Sequence, residues 1–295
     1  MSATQDLGPG MIDSHAMGAL HSTPALADAV KVPHGPFRFS IRLSIGVTYE
    51  VFASTDLESW SPIATGVSTD EHVEFSDAEA FQHRARFYRV VAMGESSRNI
   101  VGFASTVIPP GFGMVSNPFH NEDNSVAAIL PRVPEGTTLC KFDIHTARLT
   151  NNTFKNGRWT IGSEKLMPGE AAIFFNPGHQ PQHLDFSGTV MQGELTNSLG
   201  SGFSLRGSML PKAGKISVDL GLSLAEGDVV HVFDRKQQRY QVYKFPMKNW
   251  HSVQPGLDLC EGFWCGKIAS GPWKQTFEAK PLAHGVRPGD RRLVG

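Results

Sequence analysis

From Phe37 the chain alternates apolar and polar side chains, with Phe37, Phe39, Ile41 and Leu43 on one face and Arg38, Ser40 and Arg42 between them. A period of two predicts a half-buried strand. Tyr49, Val51 and Ala53 repeat the alternation beyond the Gly46 turn. Shorter strands are expected around Ile63, His72–Phe75 and Phe87–Ala92, separated by Ser/Thr/Asp/Gly turns. Strands at this spacing, with no helical period between them, predict a small antiparallel sandwich over residues 37–107. Upstream, residues 1–36 show no sustained period and read as a flexible arm, in which Pro24–Val30 has room for one or two helical turns. Residues 281–295, rich in Pro, Gly and Arg, read as a tail.

The pattern downstream repeats itself. A shift of 91 residues lays 111–175 on 202–266 without a gap, with identities at 11 of the 65 positions. Gly111/Gly202, Phe112/Phe203, Phe142/Phe233, Trp159/Trp250 and Glu170/Glu261 are among the identical pairs. The matches favour rare aromatic, Gly and acidic residues, as a duplication does and chance does not. Each copy opens on a Gly-Phe strand and passes through a Glu-Gly turn. It then forms a hairpin, 139–154 or 230–245, whose turn residues are polar. A Trp follows, then a bend, then an apolar strand. The two copies define β modules at 108–201 and 202–280.

Two strings in the first unit, Ser54-Thr55-Asp56-Leu57-Glu58-Ser59-Trp60 and Arg86-Phe87-Tyr88-Arg89-Val90, resemble the fibronectin-type-III-like module of secreted proteins in Verrucomicrobia and related bacteria. Trp60 and Tyr88 fall where such sandwiches bury aromatics. Segments Asn99–Pro118, Leu130–Asp143 and Leu166–Phe175 resemble a family of secreted repeat proteins, also frequent in Verrucomicrobia. The resemblance implies an exported, all-β, non-catalytic architecture. Members of that family usually begin with a signal peptide. Residues 1–36 have neither a basic n-region nor an apolar core of 7–15 residues, so the expectation is that they are not one.

Composition narrows the partners. The chain has 295 residues with 27 Lys+Arg against 28 Asp+Glu, a formal charge of −1, which excludes a domain-wide basic field for nucleic acid or an anionic membrane. No run approaches 18 apolar residues, so no membrane-spanning helix is expected. With 30 Gly and 19 Pro the chain turns often, as β modules do. Cys140, Cys260 and Cys265 are too few and too unevenly spaced for a disulfide framework. In the duplication Cys265 stands where the first copy has Phe174, so it reads as a core residue.

Candidate chemistry is sparse. No nucleophile elbow, P-loop or HExxH string is present, and no catalytic residue or cofactor is expected. Asp143/Asp234 and Glu170/Glu261 recur in both copies beside turns, where carboxylates accept backbone N–H groups. His179 and His183 have a metal-like spacing, but Pro181 prevents the helix that would align them. The oxygen-rich stretch holding Asn121, Asp123 and Asn124 offers a weak Ca²⁺ candidate in the first copy alone, and otherwise reads as a solvated loop. Trp159 and Trp250, just after the hairpins, are the candidate ligand-binding residues. An exposed indole stacks on the apolar face of a sugar, whereas a Trp retained in both copies also suits a shared core.

The expectation is therefore an all-β chain: a fibronectin-III-like sandwich followed by two duplicated β modules, able to pack as a pseudo-symmetric pair. The leading functional expectation is a non-enzymatic structural or adhesive protein of the envelope or extracellular space, with a protein or polysaccharide partner. The alternatives are a carbohydrate-binding module using Trp159 or Trp250 and, more remotely, a glycan-active enzyme.

Overall fold

The computed structural model describes residues 23–246 and 253–282 and is almost entirely β. The first unit contains β1 (Ala25–Lys31), β2 (Phe37–Arg42), β3 (Thr48–Ser54), β4 (Ser61–Val67), β5 (His72–Asp77), β6 (Ala85–Ala92), β7 (Glu95–Ser96) and β8 (Ile100–Ile108). One sheet runs β1-β2-β5 and the facing sheet runs β8-β6-β3-β4, with β7 paired to β6. This is the arrangement of a fibronectin-III-like sandwich, and it bears out the expected fold class. The period-two residues Phe37, Phe39, Ile41 and Leu43 all point inward, against Tyr88, Val90 and Phe103. Phe37 stacks on Tyr88 with ring centroids 4.8 Å apart. Each such side chain contributes about 1.5–3 kcal/mol when withdrawn from water.

Residues 23–36 are not an arm, and Pro24–Val30 is not helical. β1 pairs antiparallel with β2, and Leu26 is in the core. The Asn99 side chain brackets the free edge of β1, accepting from Leu26 N at 2.9 Å and donating to Leu26 O at 2.7 Å. Alternation is hidden because Asp28 takes a positive φ and the register slips between Ala27 and Val30. A bulge shifts the phase of the apolar residues, so no single period spans the strand. The readings for 1–22 lie outside the described residues.

The repeats follow. The first contains β9 (Gly111–Ser116), a single helical turn α1 (Val126–Ile129), β10 (Thr138–Asp143), β11 (Arg148–Lys155), β12 (Arg158–Trp159), β13 (Ala171–Asn176) and β14 (Gln182–Val190). The second contains β15 (Gly193–Leu199), β16 (Gly202–Gly207), β17 (Gly214–Lys215), β18 (Val229–Asp234), β19 (Arg239–Lys244), β20 (Gly256–Leu257), β21 (Gly262–Lys267) and β22 (Gly271–Phe277). Strand order β9-β13-β10-β11 recurs as β16-β21-β18-β19. The register recurs too: Thr138 faces both Phe175 and Thr153, and Val229, 91 residues on, faces both Gly266 and Lys244.

The duplication extends beyond the residues that align by sequence. Shifted by 91, Gly102–Ile108 of β8 falls on β15, and the strand pairs β8–β14 and β15–β22 correspond with a two-residue slip. β8 is therefore both the last strand of the sandwich and the first of the repeat. β14 adds to the sandwich sheet beyond β8, so boundaries at 107/108 and 201/202 divide strands that work together. One continuous core, including Phe87, Ile100, Phe119, Trp159, Phe174 and Phe186, joins the sandwich to the first repeat.

The two repeats form one pseudo-twofold pair. Ser116 N donates to Cys260 O at 3.0 Å, and Gly207 N donates to Gly169 O at 3.2 Å. Position 207 lies 91 residues after 116, and 169 lies 91 residues before 260, so exchanging the two repeats exchanges these two bonds. A cluster of Met114, Leu205, Ala171 and Phe233, flanked by Phe142, Ile173 and Trp264, fills the seam between the sheets. Met114/Leu205, Phe142/Phe233 and Ile173/Trp264 are equivalent positions, so each repeat packs the same patch against the other.

Candidate functional site

The seam is buried at its centre and opens toward the outer strands of both repeats. Its floor in the second repeat is set by register: His231 lies across from Trp264 on one side and Val242 on the other, while Phe233 lies across from Tyr240. Alternation puts Phe203, His231, Phe233, Tyr240, Val242 and Trp264 on the face turned to the first repeat. Phe203, Tyr240 and Val242 remain 46%, 39% and 51% exposed. His231 packs edge-on to Phe203 with centroids 5.3 Å apart and sits 6.2 Å from Tyr240. Trp264 is edge-on to Phe142 at 4.9 Å, and its indole N–H donates to the Tyr240 hydroxyl at 3.2 Å. The result is a contiguous aromatic surface that crosses the sheet and reaches the seam.

Where the two sheets diverge, a cleft of about 230 Å³ lies between Phe112, Met114 and Ile173 of the first repeat and Phe233 and Tyr240 of the second. Its rim is fixed by Gln238, whose side chain accepts from Phe112 N at 2.7 Å and donates to Phe112 O at 2.9 Å. Gln238 thereby occupies the free edge of β9. Burial lowers the pKa of His231, which favours the neutral imidazole, and burial raises that of Tyr240. Electrostatically the face is bland. Among the residues of β16, β18, β19 and β21 on this face, Lys244 alone carries a charge.

The residues expected to bind ligand lie elsewhere. Trp159 is only 5% exposed, stands edge-on to Phe154, and donates its indole N–H to Leu130 O at 2.8 Å. Neither indole face is open, so the stacking role is corrected to a core role: β12 folds over the hairpin end and encloses the ring. Trp250 lies outside the described residues. Trp264 is the partly exposed indole in this region, and the sequence signal for it was its place in a strand opposite Ile173 of the first copy.

The weak Ca²⁺ candidates are committed to the fold. Asn124 is 2% exposed; its side chain donates to Asn121 O at 3.0 Å and accepts from Asn117 Nδ2 at 3.1 Å. Asn121 Nδ2 donates to Ser187 O at 2.9 Å. Asp123 accepts from both the backbone N–H and the hydroxyl of Ser125 and pairs with Lys165 at 3.3 Å. The loop is thus a capping and docking element. Among the described residues no group of three or more His, Cys, Asp and Glu is placed to hold a metal.

The recurrent carboxylates behave as turn acceptors, as expected. Asp143 accepts from His145 N and Thr146 N, and Asp234 from Lys236 N and Gln237 N, which holds both acids below the ordinary carboxylate range. Glu170 accepts from Met167 N, and Glu261 from Asp258 N. Cys265 and Phe174, equivalent positions, are both fully buried; burial pushes the Cys265 thiol up to about 11.

A larger groove, about 840 Å³, runs between β1 and β14 beside α1 and includes Lys31, Asn121, Asp123, His183 and Asp185. Several of its polar groups are bonded internally. Lys31 Nζ donates to Val32 O and Gly35 O, and Ser105 donates to Asp185. His183 meets the His34 ring edge-on at 5.0 Å.

No protein-family model matches the chain, and no curated protein matches it. Solved structures that align with it include two chains of repeated domains. The FN1–FN3 domains of chicken CNTN1 do so at 11% identity and a TM-score of 0.22, over 87% of this chain and 100% of that one. A tetra-tandem repeat from the extending region of a large adhesion protein aligns at 8% identity and a TM-score of 0.21, over 87% and 74%. Similarity at that level carries no argument. The fold assignment rests on strand order and register within this chain.

Proposed function

We propose that this protein is a non-enzymatic interaction module, structural or adhesive, and that the aromatic seam between its repeats is the surface it presents to a partner. The observation that supports this most directly is the exposure of Phe203 on one edge strand and of Tyr240 and Val242 on the other, with the His231 ring between Phe203 and Tyr240. Clustered exposed aromatics on a folded surface mark interaction sites, and aromatic residues are enriched where partners bind. The recurrent acids support a non-catalytic reading, because their oxygens are engaged by backbone N–H groups. An extracellular or cell-envelope setting is implied by the motif resemblance and is part of the same proposal.

The test is a binding panel of immobilised extracellular-matrix proteins and polysaccharides, probed with the full chain and with Phe203→Ser/Val242→Ser. At least one target should hold the native chain and lose it tenfold or more in the double variant. Equal binding of both chains to every target, or no binding to any, overturns the proposal.

A further inference from the structure

We infer that the second repeat's half of the seam, built from Phe203, His231, Tyr240 and Trp264, is a binding site for an uncharged saccharide. The sugar ring would stack on the exposed aromatic faces, and its hydroxyls would hydrogen-bond to Tyr240 and His231. This inference rests on the seam being the interaction surface.

The duplication supplies an internal control. The first repeat has the same strands, order and register, yet it fills the positions of His231, Tyr240 and Trp264 with Cys140, Leu149 and Ile173. A small thiol and two aliphatic side chains are therefore enough to build this face. Imidazole, phenol and indole in the second copy exceed what folding requires, and all three add a flat ring with a polar edge. Phe112 and Phe203, which the copies share, supply the apolar ring both faces begin with.

Hydrogen-bonding capacity agrees. The Tyr240 hydroxyl accepts the Trp264 N–H, which fixes the phenol and leaves its own proton to donate elsewhere. Neither ring nitrogen of His231 has a hydrogen-bond partner among the described residues, so a neutral imidazole offers one donor and one acceptor. A pyranose presents an apolar C–H face and a rim of hydroxyls, and ring faces with polar edges match both. Charge selects further: the face carries no carboxylate and a single cation, Lys244, at its end. An uncharged ligand is bound there without stripping water from an unmatched ion.

Affinity electrophoresis tests this with the full chain in gels containing a soluble β-glucan, a xyloglucan or a galactomannan, and in alginate as an acidic control. The variants are Tyr240→Leu and His231→Cys, each introducing the residue that the first repeat already accommodates. Circular dichroism and Tm confirm that they fold. At least one neutral polysaccharide should retard the native chain, with Kd raised tenfold or more by Tyr240→Leu and several-fold by His231→Cys. Retardation by alginate alone, no retardation by any neutral polysaccharide, or unchanged retardation of Tyr240→Leu overturns the inference. If the chain ignores all polysaccharides but holds a protein target that Phe203→Ser/Val242→Ser releases, the saccharide inference falls while the interaction reading stands.

Discussion

The Tyr88 hydroxyl donates a 2.6 Å hydrogen bond to Asp77 Oδ2 inside the sandwich, where β5 turns over toward β6. The same carboxylate takes Arg86 Nη1 at 2.8 Å, and its other oxygen caps the following 3₁₀ turn through Glu79 N at 3.0 Å. One acid thus ties the corner of the sandwich to the strand that carries the Phe-Tyr-Arg-Val motif. Desolvation and the neighbouring Asp77 raise the Tyr88 pKa, so the phenol stays protonated and remains a donor.

Removing the phenol oxygen alone tests that tie. Tyr88→Phe keeps the ring packed on Phe37 and leaves Asp77 with Arg86, so the expected loss is about 1–3 kcal/mol. Asp77→Ala should cost more, about 3–5 kcal/mol, because it strands a half-buried guanidinium and a buried hydroxyl together. Urea midpoints at pH 7 measure both. Equal, small effects would show that the corner is held by packing alone.

Arg235 links the second repeat to the sandwich. Its guanidinium donates to Thr106 Oγ1 at 2.8 Å, Val107 O at 3.0 Å and Met114 O at 2.9 Å, with Glu261 3.9 Å away. Arg235→Ala should destabilise the chain by about 2–5 kcal/mol, since it orphans buried acceptors and an acid already raised in pKa by burial. Arg235→Lys should recover only part, because one ammonium does not span three acceptors set out for a fork. Thermal unfolding followed at two wavelengths would read both the loss and any decoupling of the repeats.

Much of the architecture was legible because it is written in periods. The alternation from Phe37, the fixed 91-residue offset and the Glu-Gly turns all survive as strands, register and positive-φ glycines at 136 and 227. What escaped was whatever has no period. β1 was hidden by the Asp28 bulge, and β15 by a pairing with β22 that slips two residues relative to its counterpart β8–β14. The candidate site escaped for a related reason. Identity between the copies points to Trp159 and Trp250, yet Trp159 is buried in the core. The distinctive face is made where the copies differ, at Cys140/His231, Leu149/Tyr240 and Ile173/Trp264.

Acid should unfold the chain partly through its turn carboxylates. Asp56 accepts from Ser59 N and Glu58 N, and these bonds lower its pKa to about 2. A folded-state pKa below the unfolded value stabilises the fold above the unfolded pKa, and that stability is lost as pH falls through the carboxylate range toward 2. Asp143 and Asp234 act in the same direction, whereas Glu261, raised by burial, acts in the opposite one. Urea midpoints should therefore decline from pH 5 to pH 2, and Asp56→Asn should flatten part of that decline. An identical slope in the variant would remove Asp56 from the account.

Thiol chemistry gives an independent check on the core. Cys260 and Cys265 are buried, and desolvation raises both thiols well above ordinary cysteine. Cys140 is partly exposed and also raised, by burial and by Glu164. Native protein at pH 8 should react slowly with an aromatic disulfide reagent at Cys140 only, and denaturant should release two further equivalents. Rapid native labelling at Cys265 would mean that the second repeat's core opens on the labelling timescale.

The pseudo-twofold axis makes its own prediction at Ser116 and Gly207, equivalent positions that meet across it. A Cβ added to Gly207 would lie 2.2 Å from Ser116 Cβ, far inside contact distance and against atoms that cannot swing away. Gly207→Ala should therefore separate the sheets and cost about 1–3 kcal/mol or more, as overpacking does. Ser116→Gly alone should cost less: it creates a small gap and removes the hydroxyl bond to Glu261 O at 3.1 Å. The informative protein is the exchange, Ser116→Gly with Gly207→Ser. If the two halves are related by a true pseudo-twofold, a serine at 207 enters the space vacated at 116, and stability should return to within about 1 kcal/mol of the native chain through coupling between the sites. Additive losses in the double variant would show that only one half of the seam tolerates a side chain there, and that the symmetry of the hydrogen bonds does not extend to packing.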